Sequence, residues 1–171
     1  MFNKLRSLDG FIDYSGICIL VTKALEVEIF KRFFTNFINY LYENYGANYL
    51  QYPTALLFKG QKPLNPEKFT MGNIVRLLNP EKDWNITFPQ KENNKLKLME
   101  YCKSEVFSKY GEDEIEEMLN SYASSIDEIK EKYRNPSAHR NQIECKDAKE
   151  CLDLIIDVEK LLKKMLDTFD E

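Results

Sequence analysis

Residues 14 to 46 read "YSGICILVTKALEVEIFKRFFTNFINYLYENYG". The apolar residues Ile17, Leu20, Val21, Ala24, Leu25, Phe30, Phe33, Phe34, Phe37, Ile38, Leu41 and Tyr45 recur at intervals of three and four. That spacing builds a stripe along a helix, and Gly46 stands where such a helix can stop. Lys23, Glu26, Glu28, Lys31 and Arg32 leave only a narrow polar face. A helix apolar over most of its circumference has to be covered by other helices or by a second subunit. The stretch is therefore predicted to be the central helix of a helical bundle.

The rest of the chain agrees. Residues 50–69 hold Pro53, Gly60, Pro63 and Pro66 without a sustained period and read as a long loop. "FTMGNIVRLLNP" then offers Thr70 as a cap and Ile74, Leu77 and Leu78 on one face, until Asn79 and Pro80 end a short helix. A second irregular stretch carries Trp84 and Pro89. Leu96, Met99, Cys102 and Val106 form one stripe, and Ile115, Met118, Leu119, Tyr122, Ile126, Ile129 and Tyr133 form another, with Gly111 between them. The acidic run "EDEIEE" from Glu112 suits the positive end of a helix dipole and reads as a solvated helix start. A last amphipathic helix runs through Ala148, Cys151, Leu152, Ile155, Val158, Leu162, Met165, Leu166 and Phe169. The 171 residues contain 6 Gly and 6 Pro against 13% aromatics, which fits thick helix packing better than turn-rich strands. The predicted fold is all-α: one domain, an up-and-down bundle of four main helices plus short ones.

Charge and cysteines narrow the function. The formal charge of −4 repels nucleic acid overall, so any such contact needs a local patch. Cys18, Cys102, Cys145 and Cys151 form no C-x-x-C pair and have no histidine at ligand spacing, so no metal and no cofactor are expected. The opening residues lack the apolar core of a secretory signal, and no 18-residue uncharged apolar stretch exists to span a bilayer. Free thiols without a signal point to the cytoplasm.

One constellation carries chemistry. "YRNPSAHRN", residues 133–141, holds the one histidine of the chain, His139, five positions after Arg134. Pro136 lacks an N–H and its ring clashes with the preceding turn, so the helix is predicted to stop at Arg134. Asn135 would then cap a new turn, with Pro136 at its first position. Such a turn sets Arg134 and His139 near one another beside an anion-attracting helix N-terminus. Arg offers a fixed fork of donors to phosphate oxygens, and an imidazole, titrating near ~6.5 when free, can take and return a proton. These are the two roles needed to cleave RNA by attack of its own 2′-OH. Residues 130–149 carry six cations (Lys130, Lys132, Arg134, Arg140, Lys146, Lys149) against three acids, a local +3 in an acidic chain. The structural alternative is that Arg134 caps carbonyls and His139 fills a polar niche.

"RNPSAH" resembles the R-x4-6-H motif of the HEPN superfamily (higher eukaryotes and prokaryotes nucleotide-binding domain), in which a polar residue commonly follows the arginine. The matching residues are Arg134, Asn135 and His139. The motif falls between the last two long helices, as in that all-helical family, and "KALEVE", Lys23 to Glu28, is similar to stretches of its early core helix. The resemblance implies a metal-independent endoribonuclease of toxin or phage-defence type, acting on RNA as a homodimer that joins two motifs in one cleft. An antitoxin or defence-system partner protein is implied as well, and no membrane.

On this reading Arg134 binds the scissile phosphate, His139 shuttles the proton and Asn135 orients the turn, while Lys132, Arg140 and Ser137 contact RNA. A dimer also answers a shortage in the residues themselves, since acid–base cleavage wants two proton-transfer groups and one chain has a single histidine. Members paired with a nucleotidyltransferase antitoxin often carry a tyrosine two residues after the histidine, and here that position is Asn141. Tyr133, on the other side, reads as a packing residue. Two competing expectations remain: a non-catalytic module of the same kind that binds a nucleotide or a partner protein, and a structural domain whose Arg134 pairs with Glu26 or Glu28.

Overall fold

The computed structural model describes residues 12–46, 57–58, 62–63, 69–82, 88–139 and 142–166. Among these the chain is all-α, with five helices, a single 3-10 turn at Pro80–Lys82 and a two-residue antiparallel pair. In that pair β1 (Leu57–Phe58) sets Leu57 opposite Pro63 and Phe58 opposite Lys62 of β2 (Lys62–Pro63). Trp84, Phe169 and most of the loop read over 50–69 lie outside the described residues.

Helix α1 runs without a break through Ser15–Ile29, a wider π-type turn at Phe30–Phe34, and Thr35–Tyr45. The wide turn holds Phe30, Phe33 and Phe34 all in the interior. Phe30 and Phe34 lie 4.8 and 5.2 Å from the ring of Phe69, and Phe33 lies 5.6 Å from Tyr101. The carbonyl of Phe30 is satisfied by both the N–H and the hydroxyl of Thr35, five residues on. Gly46 closes the helix at φ +56, a left-handed conformation that suits glycine.

Helix α2 (Met71–Leu78) starts at Thr70, whose hydroxyl and backbone exchange hydrogen bonds with Asn73 in a capping box. Glu26 of α1, buried, completes this start: its carboxylate accepts the Met71 N–H at 2.9 Å, and Lys23 donates to Glu26 (2.9 Å) and to the Phe69 carbonyl (3.0 Å). A carboxylate at a helix N-terminus is favoured by the dipole and by the free N–H groups there. The "KALEVE" segment thus fastens α2 to α1.

Helix α3 covers Phe88–Tyr101 and continues through a second wide turn, Cys102–Val106. Pro89 sits inside its first turn rather than in an irregular stretch, a place where the missing N–H costs nothing. Of the predicted stripe, Cys102 and Val106 are buried and Met99 packs against the core, while Leu96 is 55% exposed and Leu98 and Tyr101 take the interior in its place. Helix α4 comprises Glu112–Ile129, a third wide turn at Lys130–Arg134, and Asn135–Ala138. Gly111 precedes it in an extended conformation, its N–H bonded to the Glu114 carboxylate at 2.8 Å. Helix α5 is Cys145–Leu166. The four long helices and short α2 match the predicted class.

Two interior clusters result. The larger joins α1, α2, α3 and α4 with Val158 of α5. The smaller consists of Cys18, Tyr133, Ile143, Ala148 and Cys151, where the first half of α1, the end of α4 and the start of α5 meet. Asp13 ties this end together, accepting the N–H groups of Ser15 (2.9 Å) and Ile143 (3.2 Å), which hold its carboxyl below the usual range. No helix among the described residues is long and apolar enough to cross a membrane.

Candidate functional site

The helix break expected at Pro136 is absent. Arg134 and Asn135 both have helical backbone angles, and the Asn135 N–H donates to the carbonyl of Lys130, five residues back. The wide turn directly before Pro136 adds one residue where the proline ring would otherwise press on the preceding turn, so α4 absorbs the proline instead of ending. The helix ends at His139, whose N–H donates to Asn135 (3.0 Å) and Pro136 (3.1 Å).

Two expectations fall with the break. Asn135 caps nothing; its side-chain amide donates to Glu131 at 3.3 Å. Nor does a helix N-terminus open beside the motif. The end at His139 is a C-terminus, whose free carbonyls favour cations, so a phosphate here has to be held by side chains. The turn also does not fold Arg134 onto His139: five residues along an α-helix separate them by roughly 140° and about 7.5 Å of rise.

Individual exposures sort the predicted residues. Arg134 is half-buried and forms no ion pair among the described residues, and His139 is exposed. Glu26 and Glu28, the acids expected to neutralise Arg134 in a structural role, are taken by Lys23 and Arg32 (both 2.9 Å). Lys132 is exposed but bonded to Glu128 at 2.6 Å, which raises its pKa, and Lys130 is shared by Asp127 (2.6 Å) and Glu131 (3.0 Å). Two of the five described basic residues of the island are therefore already neutralised locally. Lys146 and Lys149 are exposed and without an ion pair among the described residues. Ser137, expected to contact RNA, is buried and faces inward one turn after Tyr133. Arg140 and Asn141 lie outside the described residues.

The inner side of the motif is a packing surface, as expected for Tyr133. The Tyr133 and Ser137 hydroxyls are buried without a hydrogen bond. Burial first, and then the nearby Glu150 carboxylate, raise the Tyr133 pKa. Burial likewise raises the Cys18 thiol and pushes Cys151 up to about 12, keeping both neutral and poorly nucleophilic. Since the Tyr133 hydroxyl makes no well-formed hydrogen bond and has only the nearby Glu150 carboxylate to interact with, Tyr133→Phe is expected to change stability by about 1 kcal/mol or less. Urea unfolding checks this, and a loss beyond that size would show that the hydroxyl is bonded.

Away from the motif, a cleft of about 170 Å³ opens between Asn79, Lys95, Glu116 and Asn120 over Leu98 and Leu119. It lies roughly 20 Å from Arg134 along α4 and holds the Lys95–Glu116 ion pair and the Asn79–Asn120 hydrogen bond. No cluster of three or more potential metal ligands occurs among the described residues. Sequence reasoning missed a surface: Ile17 (44% exposed), Leu20 (72%) and Leu152 (37%), which the spacing counts as packing residues, stand in solvent together with Ile156 (47%). Heptad-like spacing alone cannot separate a side chain covered by its own chain from one left for a partner. No family model matches the chain, and neither does any curated protein or solved structure.

Proposed function

We propose that this chain is a metal-independent endoribonuclease of toxin or phage-defence type, completed by a second copy of itself. The observation that carries the reading is the state of the two motif side chains. Arg134 has no ion-pair partner among the described residues and His139 stands in solvent, whereas Lys130, Lys132 and Arg32 are spent on neighbouring acids. An unneutralised guanidinium and an exposed imidazole at one helix end suit an anionic substrate better than a structural role.

In the reaction proposed, a base takes the proton of the RNA 2′-OH, and the freed oxygen attacks the adjacent phosphorus. The bond to the 5′-oxygen breaks, and an acid returns a proton to that oxygen. A 2′,3′-cyclic phosphate and a 5′-hydroxyl result. Arg134 binds the phosphate oxygens and His139 serves one proton transfer, with the second histidine coming from the other copy. Asn135 acts through its bond to Glu131 rather than as a cap, and Lys132 reaches RNA only by giving up Glu128. Ser137 is excluded from contact by burial. Excess EDTA is expected to leave cleavage intact. Loss of activity on chelation, restored by magnesium or manganese, counts against this mechanism.

The wide angle between Arg134 and His139 on α4 favours one further reading, a silent module that binds an anion or nucleotide without cutting RNA. An antitoxin or defence-system protein is a partner that either reading admits.

A further inference from the structure

A groove of about 220 Å³ opens between the second half of α1 and the wide turn of α3. Asn36, Asn39, Tyr40, Glu43 and Asn44 line it from α1, at a spacing that sets all five on one side of that helix. Tyr101 and Glu105 line it from α3. Tyr40 lies roughly 33 Å along α1 from Cys18, which packs beside Tyr133 of the motif, so the groove is a separate place on the molecule.

Its polar groups are mostly acceptors. The side-chain amides of Asn36 and Asn44 donate to the carbonyls of Arg32 (3.1 Å) and Tyr40 (2.8 Å) in their own helix, which leaves their oxygens for a ligand. Glu43 and Glu105 form no ion pair among the described residues. Arg32, one turn before Asn36 on the same side of α1, is held by Glu28 at 2.9 Å, and Lys103, two residues before Glu105, is held by Glu112. The groove thus carries two carboxylates that nothing described neutralises.

Tyr101 is an independent sign of a missing partner. It is 1% exposed and packs against Phe33, Phe37 and Tyr40, yet it reaches the groove, and its hydroxyl has no hydrogen bond among the described residues. A buried hydroxyl ordinarily has one. Burial first, then Cys102 and Glu105 nearby, raise its pKa and keep it neutral.

Unneutralised carboxylates and free carbonyl oxygens call for a cationic donor. One metal ion does not satisfy them, since Asn36 and Asn44 are roughly 12 Å apart along α1 and a calcium shell spans only about 2.3–2.6 Å from the ion. An elongated cation with several donors does. The rings of Tyr40 and Tyr101, 5.4 Å apart, suit the methylenes and ammonium groups of an aliphatic chain. We propose that this groove binds a linear aliphatic polyamine, with its ammonium groups on Glu43, Glu105 and the asparagine oxygens and its methylenes over Tyr40.

Isothermal titration calorimetry with spermidine at low ionic strength tests this, with circular dichroism confirming that each variant is folded. Wild-type protein is expected to bind one spermidine per chain with a dissociation constant of about 1 mM or tighter. Glu43→Gln with Glu105→Gln is expected to weaken binding roughly tenfold or more, and Tyr101→Phe roughly threefold, the latter without loss of stability because that hydroxyl has no partner to lose. Glu144→Gln with Asp153→Asn removes the same charge from exposed positions elsewhere and is expected to leave binding unchanged. Hexylamine, with a single ammonium group, is expected to bind roughly tenfold more weakly than spermidine. Absence of spermidine binding, groove variants that bind as tightly as wild type, or equal losses in the Glu144 and Asp153 control would each overturn the proposal. So would calcium chloride binding at one ion per chain and lost in the Glu43 and Glu105 variant, which would make the groove a metal site.

Discussion

His139→Ala and Arg134→Ala are each expected to abolish detectable RNA cleavage while leaving the fold and the dimer intact. The first removes general acid–base assistance, typically ~10²- to 10⁴-fold, and the second a charged donor to the phosphate, a penalty of comparable size. Stability should fall by only about 1 kcal/mol or less, because His139 is exposed, Arg134 is half-buried at the surface of α4, and neither truncation opens a hole in either interior cluster. Cleavage rates on a structured RNA, paired with thermal unfolding of the same samples, separate the two effects. Relief of toxicity on expression should accompany the loss of activity. Variants as active as wild type would move the reading to the silent anion-binding module.

Phe34→Ala is expected to be the most damaging single change to the fold, at about 3–5 kcal/mol. Its side chain is fully buried, packs against the tilted ring of Phe69 at 5.2 Å and meets Phe33 edge-on at 5.0 Å. It sits in the wide turn of α1, where three phenylalanines share the interior and where a cavity would border the residue just before the Thr70 cap of α2. Urea unfolding measures the change. A cost below about 1.5 kcal/mol would mean that the aromatic cluster repacks around the gap and that the wide turn is not held by Phe34.

These two residues mark how far the sequence could be read. The helical class, the ends of α1 and α2, the Thr70 cap and the separation at Gly111 all follow from apolar spacing and from residue types with local conformational preferences. The three wide turns do not, because each inserts one residue into a helix whose sequence still looks periodic. At Pro136 this changed the local picture: the proline signals a break, the chain supplies a wide turn instead, and the expected Asn135 cap and its anion site are replaced by a helix C-terminus at His139. Ser137 was misplaced for the same reason, since its inward direction depends on the helix continuing from Tyr133. The exposed face on α1 and α5 was hidden by its own regularity, as Leu20 and Leu152 keep the spacing of the buried residues beside them. Arg134 and His139 stand out in the sequence by residue type alone, and the continuous helix sets them roughly 140° apart on α4 instead of side by side.

If Arg134 and His139 direct attack of the RNA 2′-OH on its own phosphate, the product ends carry the signature of that attack. Wild-type protein is incubated with a defined RNA in excess EDTA, with His139→Ala as the control, and the ends are resolved by mass spectrometry. Fragments ending in a 2′,3′-cyclic phosphate and beginning with a 5′-hydroxyl, formed by wild type and not by the variant, are predicted. RNA left intact, ends that carry a 5′-phosphate, or the same products from the His139→Ala protein would contradict it.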